Sequence, residues 1–252
     1  MKNILFTIFC LLCEVNVAYA QPQARLLMHG EGLSELNLLE LPELGLCINL
    51  DGDSLIYLDD PELPILHLDV KRDTREIIVC DTTIYVSVEN AVYADTCNTP
   101  LIIMDNNMFS LYPACGSSFY VCTADSAYSD LILVDPVAGA YSIVTKIEAP
   151  IQKVVANDTY TLALINNQIV ALGANNAMLP LYQGEEINDM AISPLGLFVA
   201  TDEGLFLTQN PSEVKCWSKK KYTRVWWVNE SLYLLDAENN LYAIDGLLEQ
   251  GD

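Results

Sequence analysis

One unit recurs about every 36 residues along this chain, and that period constrains the fold more than any other feature. Each unit reads as an apolar strand, a polar turn, an aromatic-rich strand, a second turn and another strand. The clearest copies are INDMAISPLGLFVATDEGLFLT at 187–208 and YTRVWWVNESLYLLDAENNLYAID at 222–245. Alignment on the strand after the polar turn gives six anchors: Leu55, Ile84, Phe119, Tyr160, Leu197 and Leu232. The turns before them (DGDS, DTT, GSS, NDT, SPLG, NES) are built from residues that tolerate tight-turn dihedrals or cap them with side-chain hydrogen bonds. The second turns, NNQ at 166–168, Glu203-Gly204 and ENN at 238–240, are short enough to force antiparallel hairpins.

The fourth unit divides into four strands, over 151–156, 160–165, 169–172 and 179–183, which is the make-up of a propeller blade. The expected fold is therefore all-β, a six-bladed β-propeller. The last unit stops after 241–244, and 24–29 (ARLLMH) is expected to pair beside it and close the ring, which removes open edges. The first blade is expected to be irregular. Only 29 residues separate Leu55 from Ile84, so one strand should be missing, and 33–41 (LSELNLLEL) reads as a short helix capped by Ser34. A solenoid or a sandwich remains the alternative fold.

Residues 1–20 read as a cleaved signal peptide: Lys2, an apolar run from Ile4 to Leu12, and Ala18-Tyr19-Ala20 before Gln21. Residues 21–252 form one domain, and no later segment is long enough to span a bilayer. Beyond the leader lie Cys47, Cys80, Cys97, Cys115, Cys122 and Cys216, an even set that suits an exported chain. Cys80 and Cys115 hold the same place in consecutive repeats and are the candidate disulfide. The formal charge is −22, which excludes nucleic acid and anionic membrane surfaces as partners and favours cationic ones.

The strongest local anomaly is KCWSKKKYTRVWW at 215–227. It holds five of the twelve Lys and Arg residues and all three tryptophans. Trp217, Lys219, Lys220, Lys221, Arg224 and Trp226 are the candidate partner-binding residues, with Lys219–Lys221 on the loop joining blades 5 and 6. Basic residues beside exposed aromatics suit interface hot spots and carboxylate or sugar recognition. Adjacent Trp226 and Trp227 must point to opposite faces of a strand, so at least one belongs to the core. The acidic runs at 51–54 and 59–62 read as solvated turns rather than a Ca²⁺ loop. His29 and His67 are the only histidines, and His67 sits in an apolar strand, ILHLDV. No nucleophile, metalloprotease or phosphate-loop motif occurs, and no cofactor is implied.

The words GLFVATDEGLFL at 196–207, preceded by INDMAISP, resemble the propeller repeats of two-component-regulator sensor ectodomains. Phe198 stands for the usual Trp and Ala200 for the usual Gly, and the other five units match poorly. The resemblance implies an exported bacterial propeller that recognises a partner. Asp53-Ser-Leu, Asp81-Thr-Thr, Asp95-Thr-Cys and Asp125-Ser-Ala are similar to the D-(S/T)-apolar sites at which Bacteroidetes O-glycosylate exported proteins. The functional expectation is a non-catalytic module of the periplasm or envelope that binds a protein or glycan through propeller loops. The alternatives are a carbohydrate-active enzyme with acidic residues in the channel and a sensor subunit of a signalling complex. Two carboxylates facing each other across the channel would favour the enzyme.

Overall fold

The computed structural model describes residues 24–30, 33, 36–41, 45–51, 54–58, 66–67, 74–94, 97–105, 108–124, 128–173, 177–210 and 213–248. Among these residues, twenty-four strands form six four-stranded antiparallel sheets. β1 (Arg25–His29) precedes the first blade. Blade 1 is β2 (Asn37–Leu41), β3 (Gly45–Asp51), β4 (Ser54–Tyr57) and β5 (Leu66–His67); blade 2 is β6 (Thr74–Cys80), β7 (Thr83–Val88), β8 (Ala91–Ala94) and β9 (Ile102–Ile103). Blade 3 is β10 (Phe109–Pro113), β11 (Phe119–Ala124), β12 (Ser129–Asp135) and β13 (Ala140–Ile147); blade 4 is β14 (Ile151–Ala156), β15 (Thr161–Ile165), β16 (Gln168–Leu172) and β17 (Met178–Gln183). Blade 5 is β18 (Ile187–Ser193), β19 (Gly196–Thr201), β20 (Gly204–Asn210) and β21 (Glu213–Ser218). Blade 6 is β22 (Tyr222–Val228), β23 (Ser231–Asp236) and β24 (Asn240–Ile244), completed by β1. The first strands of successive blades touch one another and form the inner wall, as a six-bladed β-propeller requires.

Period-two burial makes the core a set of wedges, one at each seam between blades. In β19 and β23 nearly every residue is buried, because both faces of a middle strand meet a neighbouring blade. Phe198, fully buried, joins Leu205, Val225 and Leu232 between blades 5 and 6. Phe119, Val121 and Tyr85 fill the seam between blades 2 and 3, with the Tyr85 and Phe119 rings 4.7 Å apart. Consecutive positive φ values at Asn166 and Asn167 (49° and 59°) and at Asn229 and Glu230 (48° and 62°) give two-residue turns whose twist matches the strands they join. Gly204 is required for a different reason: at φ +142° a Cβ there would lie 2.2 Å from the Ser218 carbonyl oxygen of the next strand.

The ring closes as the sequence predicts. β1 pairs antiparallel with β24 in the register Arg25↔Ala243, Leu26↔Tyr242, Met28↔Leu241 and His29↔Asn240. Arg25 meets Asp245 at 3.2 Å. The Asn240 side-chain nitrogen donates to both Asp236 oxygens, so its Oδ1 accepts, and the 2.8 Å contact is a bond donated by His29 Nδ1.

Four expectations about the first half are corrected. Blade 1 has four strands; its fourth, β5, is only two residues long. The register equates Leu46, not Leu55, with the later anchors, because Asn49 in β3 pairs with the first strand as Ser87 does in β7 and Ala200 in β19. The short spacing came from anchoring on the blade's third strand. Residues 37–41 are strand β2 rather than helix, with Leu38, Leu39 and Leu41 buried between neighbouring blades; a single turn closed by Leu36 N–H to Leu33 C=O (3.1 Å) precedes it. Ser34, the leader, His67's side chain and the acidic runs at 52–53 and 59–62 lie outside the described residues. Cys80 and Cys115 are free thiols rather than a bridge. Cys80 is buried in the blade 2–3 seam, where burial pushes its thiol up to about 12 against the opposing influence of the Ala114 backbone. Cys115 is exposed and meets Asp158 of the next blade.

Candidate functional site

The β21–β22 loop carries Lys219–Lys221, at the junction of blades 5 and 6 as the sequence indicates. The structure divides the patch by use. Trp217 meets Phe198 edge-on at 5.5 Å, and Trp227 stacks on the same ring at 6.4 Å with 12° between planes. Trp226, on the opposite face of β22, packs into the seam between blades 6 and 1. All three indoles are half-buried wedge residues, so β22 follows the alternation rule and the tryptophans are chiefly core.

Two of the lysines are pinned. Lys220 Nζ lies 2.7 Å from Asp236 Oδ2 and 2.8 Å from the Tyr242 hydroxyl, and 4.2 Å from the centre of the Tyr242 ring. Partial burial would lower the Lys220 pKa, but Asp236 and Tyr242 hold it above its ordinary value. Asp236 is 2% exposed and also accepts backbone N–H bonds from Glu238 and Asn240, both at 2.9 Å. Burial alone would raise its carboxyl; Lys220 and these donors instead bring it down to about 2. Lys221 pairs with Asp202 at 2.5 Å, and Asn188 Nδ2 ties Asp202 (3.0 Å) to the Tyr222 carbonyl (3.1 Å). Lys221, Asn188 and Glu186 hold the Asp202 carboxyl at about 2, and the Asp202 carboxylate in turn pushes Glu186 up. The Lys219 and Arg224 side chains are exposed, and neither forms an ion pair with a described residue.

Next to this loop an open cavity of about 580 Å³ lies between blades 4 and 5. Its wall is Asn167, Gln183, Gly184, Glu185, Glu186, Asp202 and Glu203. The cavity arises because the Glu185-Glu186 turn, the Asn166-Asn167 turn and the Asp202-Glu203 turn converge at one end of the propeller. Pinned cations beside a cluster of carboxylates give this end a sharp charge boundary.

The inner wall carries a second polar set. Asn37, Glu76, Ser110, Lys153, Asp189 and Arg224 occupy the same register position on the six inner strands. Glu76 Oε2 accepts the Leu111 N–H at 2.8 Å, and Asp189 Oδ2 accepts the Val225 N–H at 2.8 Å while its other oxygen pairs with Lys153. Each carboxylate thus supplies the partner that an inner-edge N–H of the following blade needs. Burial pushes the Glu76 carboxyl above its usual range, against the Leu111 and Ser110 bonds and the Arg75 charge. Glu76 and Asp189 sit on blades 2 and 5, on opposite sides of the ring, but both are engaged by fixed donors. Their signal in the sequence is the lone polar residue early in each inner strand, visible only once the strands are aligned.

No protein-family model matches the chain, and no curated protein resembles it at a significant level. Solved structures do share its fold. The extracellular domain of a protein described as a one-component system from B. thetaiotaomicron superposes with TM-score 0.56 at 11% identity, over 82% of this chain and 32% of that one. The chain thus spans about a third of that ectodomain's length. A protein described as a gluconolactonase superposes with TM-score 0.65 at 9% identity, covering 90% of this chain and 92% of its own. Virginiamycin B lyase from Staphylococcus aureus gives TM-score 0.58 at 9% identity, over 87% and 83%. These likenesses show the propeller fold, which the ectodomains described as parts of one-component and hybrid two-component systems share, in agreement with the repeat resemblance at 196–207.

Proposed function

We propose that this chain is a non-catalytic interaction module of the cell envelope, and that a protein partner docks on the end of the propeller where the Lys219–Lys221 loop meets the acidic cavity. The observation that carries the reading is the division of labour in that loop. Lys220 and Lys221 are fixed by Asp236 and Asp202, and Lys219 is left exposed beside a 580 Å³ cavity rimmed by Glu185, Glu186 and Glu203. A loop already ordered in this way loses little entropy on binding. A partner carrying a basic side chain for the cavity and an acidic one for Lys219 fits the boundary. The engagement of Glu76 and Asp189 by backbone and lysine donors weighs against a channel hydrolase, which needs one carboxylate free for the nucleophile or base and another free for the acid.

Affinity capture from the native envelope tests the reading. Lys219→Glu and Glu185→Lys should each abolish recovery of the same partner, and the pair together should restore part of it through a swapped contact. Unchanged recovery by both single variants would refute the reading.

A further inference from the structure

The rim of blade 3 differs from the other rims. The outer strand of blade 2, β9, is two residues long, whereas the outer strand of blade 3, β13, runs for eight, exposed over 140–143 and buried at Thr145 and Ile147. A groove of about 500 Å³ opens there, lined by Leu101, Ile103, Met104, Asp105, Ile132 and Tyr141. Its apolar groups face solvent: Ile103 is 66%, Tyr141 68% and Ile143 53% exposed. The free edge of β13 pairs with no described strand.

Outer strands of soluble sheets are guarded by charge or proline. β17 has Pro180, β21 has Glu213 and Lys215, and β1 has Arg25. β13 has neither charge nor proline from Ala140 to Thr145, and its Lys146 is already paired with Asp130 at 3.2 Å. The groove carries one acid, Asp105, in its wall, and no lysine or arginine lines it. A second copy of a chain with net charge −22 would bring the same acid to the contact. We propose that the β13 edge is a docking site for an extended segment of another protein, with alternating apolar side chains flanked by Lys or Arg. The segment adds to blade 3 as a fifth strand: its main chain pairs with the β13 edge, its alternate side chains enter the groove, and a basic flank meets Asp105. This surface is separate from the loop face and stands or falls independently of it.

The test uses the mature chain and a fluorescein-labelled peptide, Lys-Lys-Thr-Ile-Ser-Val-Thr-Ile-Lys-Lys, followed by anisotropy. Saturable binding below about 100 µM is expected, a range suited to a short strand without a preformed anchor. Tyr141→Lys and Ile143→Lys, both at exposed sites, should weaken it at least tenfold with unchanged melting temperature. N-methylation of alternate peptide amides should abolish it, and glutamate in place of the flanking lysines should weaken it at least tenfold. No binding at 1 mM, equal binding to both variants, or indifference to N-methylation overturns the proposal. A dimer of the chain alone that Ile143→Lys dissociates, seen by sedimentation velocity, also overturns it, because the groove would then belong to a second copy.

Discussion

Replacing Asp236 with Asn tests the account of the blade 6 turn most directly. The substitution keeps shape and volume and removes the charge. In the native protein the carboxylate is 2% exposed and gathers the Lys220 ammonium, two backbone N–H groups, the Asn240 amide and the Tyr242 hydroxyl. Its fall from 3.8 to about 2 corresponds to about 2.5 kcal/mol of stabilisation at 1.36 kcal/mol per tenfold change. Because the folded value is depressed, this stability is present in full above the unfolded value and is lost as pH falls from about 4 to about 2. Urea unfolding followed by tryptophan fluorescence is a suitable assay, since Trp226 and Trp227 lie on the strand paired with β23. Asp236→Asn should lose about 2–3 kcal/mol at pH 7 and progressively less below pH 4. Lys220→Met should lose only about 1 kcal/mol, because the Lys220 side chain is 45% exposed and its half of the pair is screened. A variant within 0.5 kcal/mol of wild type at pH 7, or a difference as large at pH 2.5 as at pH 7, would refute the reasoning; both thresholds lie near the ordinary scatter of surface substitutions, about 0.5 kcal/mol.

Three further outcomes are expected. Asp189→Ala leaves Lys153 and the Val225 N–H without their shared partner inside the ring and should cost about 3–5 kcal/mol in chemical denaturation, most of it recovered in Lys153→Met/Asp189→Leu. Gly204→Ala places a Cβ 2.2 Å from the Ser218 oxygen at a left-handed φ, so it should destabilise by more than about 1 kcal/mol and lower the melting temperature, whereas alanine at Gly30, with open space around it, should not. Met28→Asp weakens β1 where it packs against the blade 6–1 wedge, and hydrogen exchange should quicken across β24 while blades 3–5 keep their protection.

The regular blades were legible because their turns and their strands give the same signal. Asn166-Asn167 and Gly204 fix tight hairpins, and the alternation between them leaves one pairing register that buries the apolar face. Blade 1 was misread because DGDS at 51–54 is a stronger turn signal than the stretch before Gly45, so the alignment locked onto the third strand. The leucines at 33, 36, 38, 39 and 41 carry both helical and alternating spacing, and only the neighbouring blades settle which face needs covering. The patch at 215–227 was placed correctly, but composition could not show that Phe198 takes up two of its indoles or that Asp236 and Asp202 hold two of its lysines. Those partners come from other strands, at separations no local window spans. The inner polar ring escaped notice for the same reason: Glu76 and Asp189 bond to backbone groups of the following blade, which carry no side-chain signature.

Closure by β1 also bears on how the chain reaches this state. Arg25 and Asp245 are 220 residues apart in sequence, whereas nearly every other strand pair joins consecutive elements. Hairpins and blades can form in any order from local contacts, but the final pairing must overcome the loop entropy of almost the whole chain. Ring closure is therefore the late, slow event, and until it occurs β24 and β1 are both unpaired edges. A circular permutant that keeps β1 contiguous with β24 and breaks the chain in another blade's connecting loop would turn this long-range closure into a local hairpin. It should refold faster with little change in unfolding rate, because the wedges resisting unfolding stay the same.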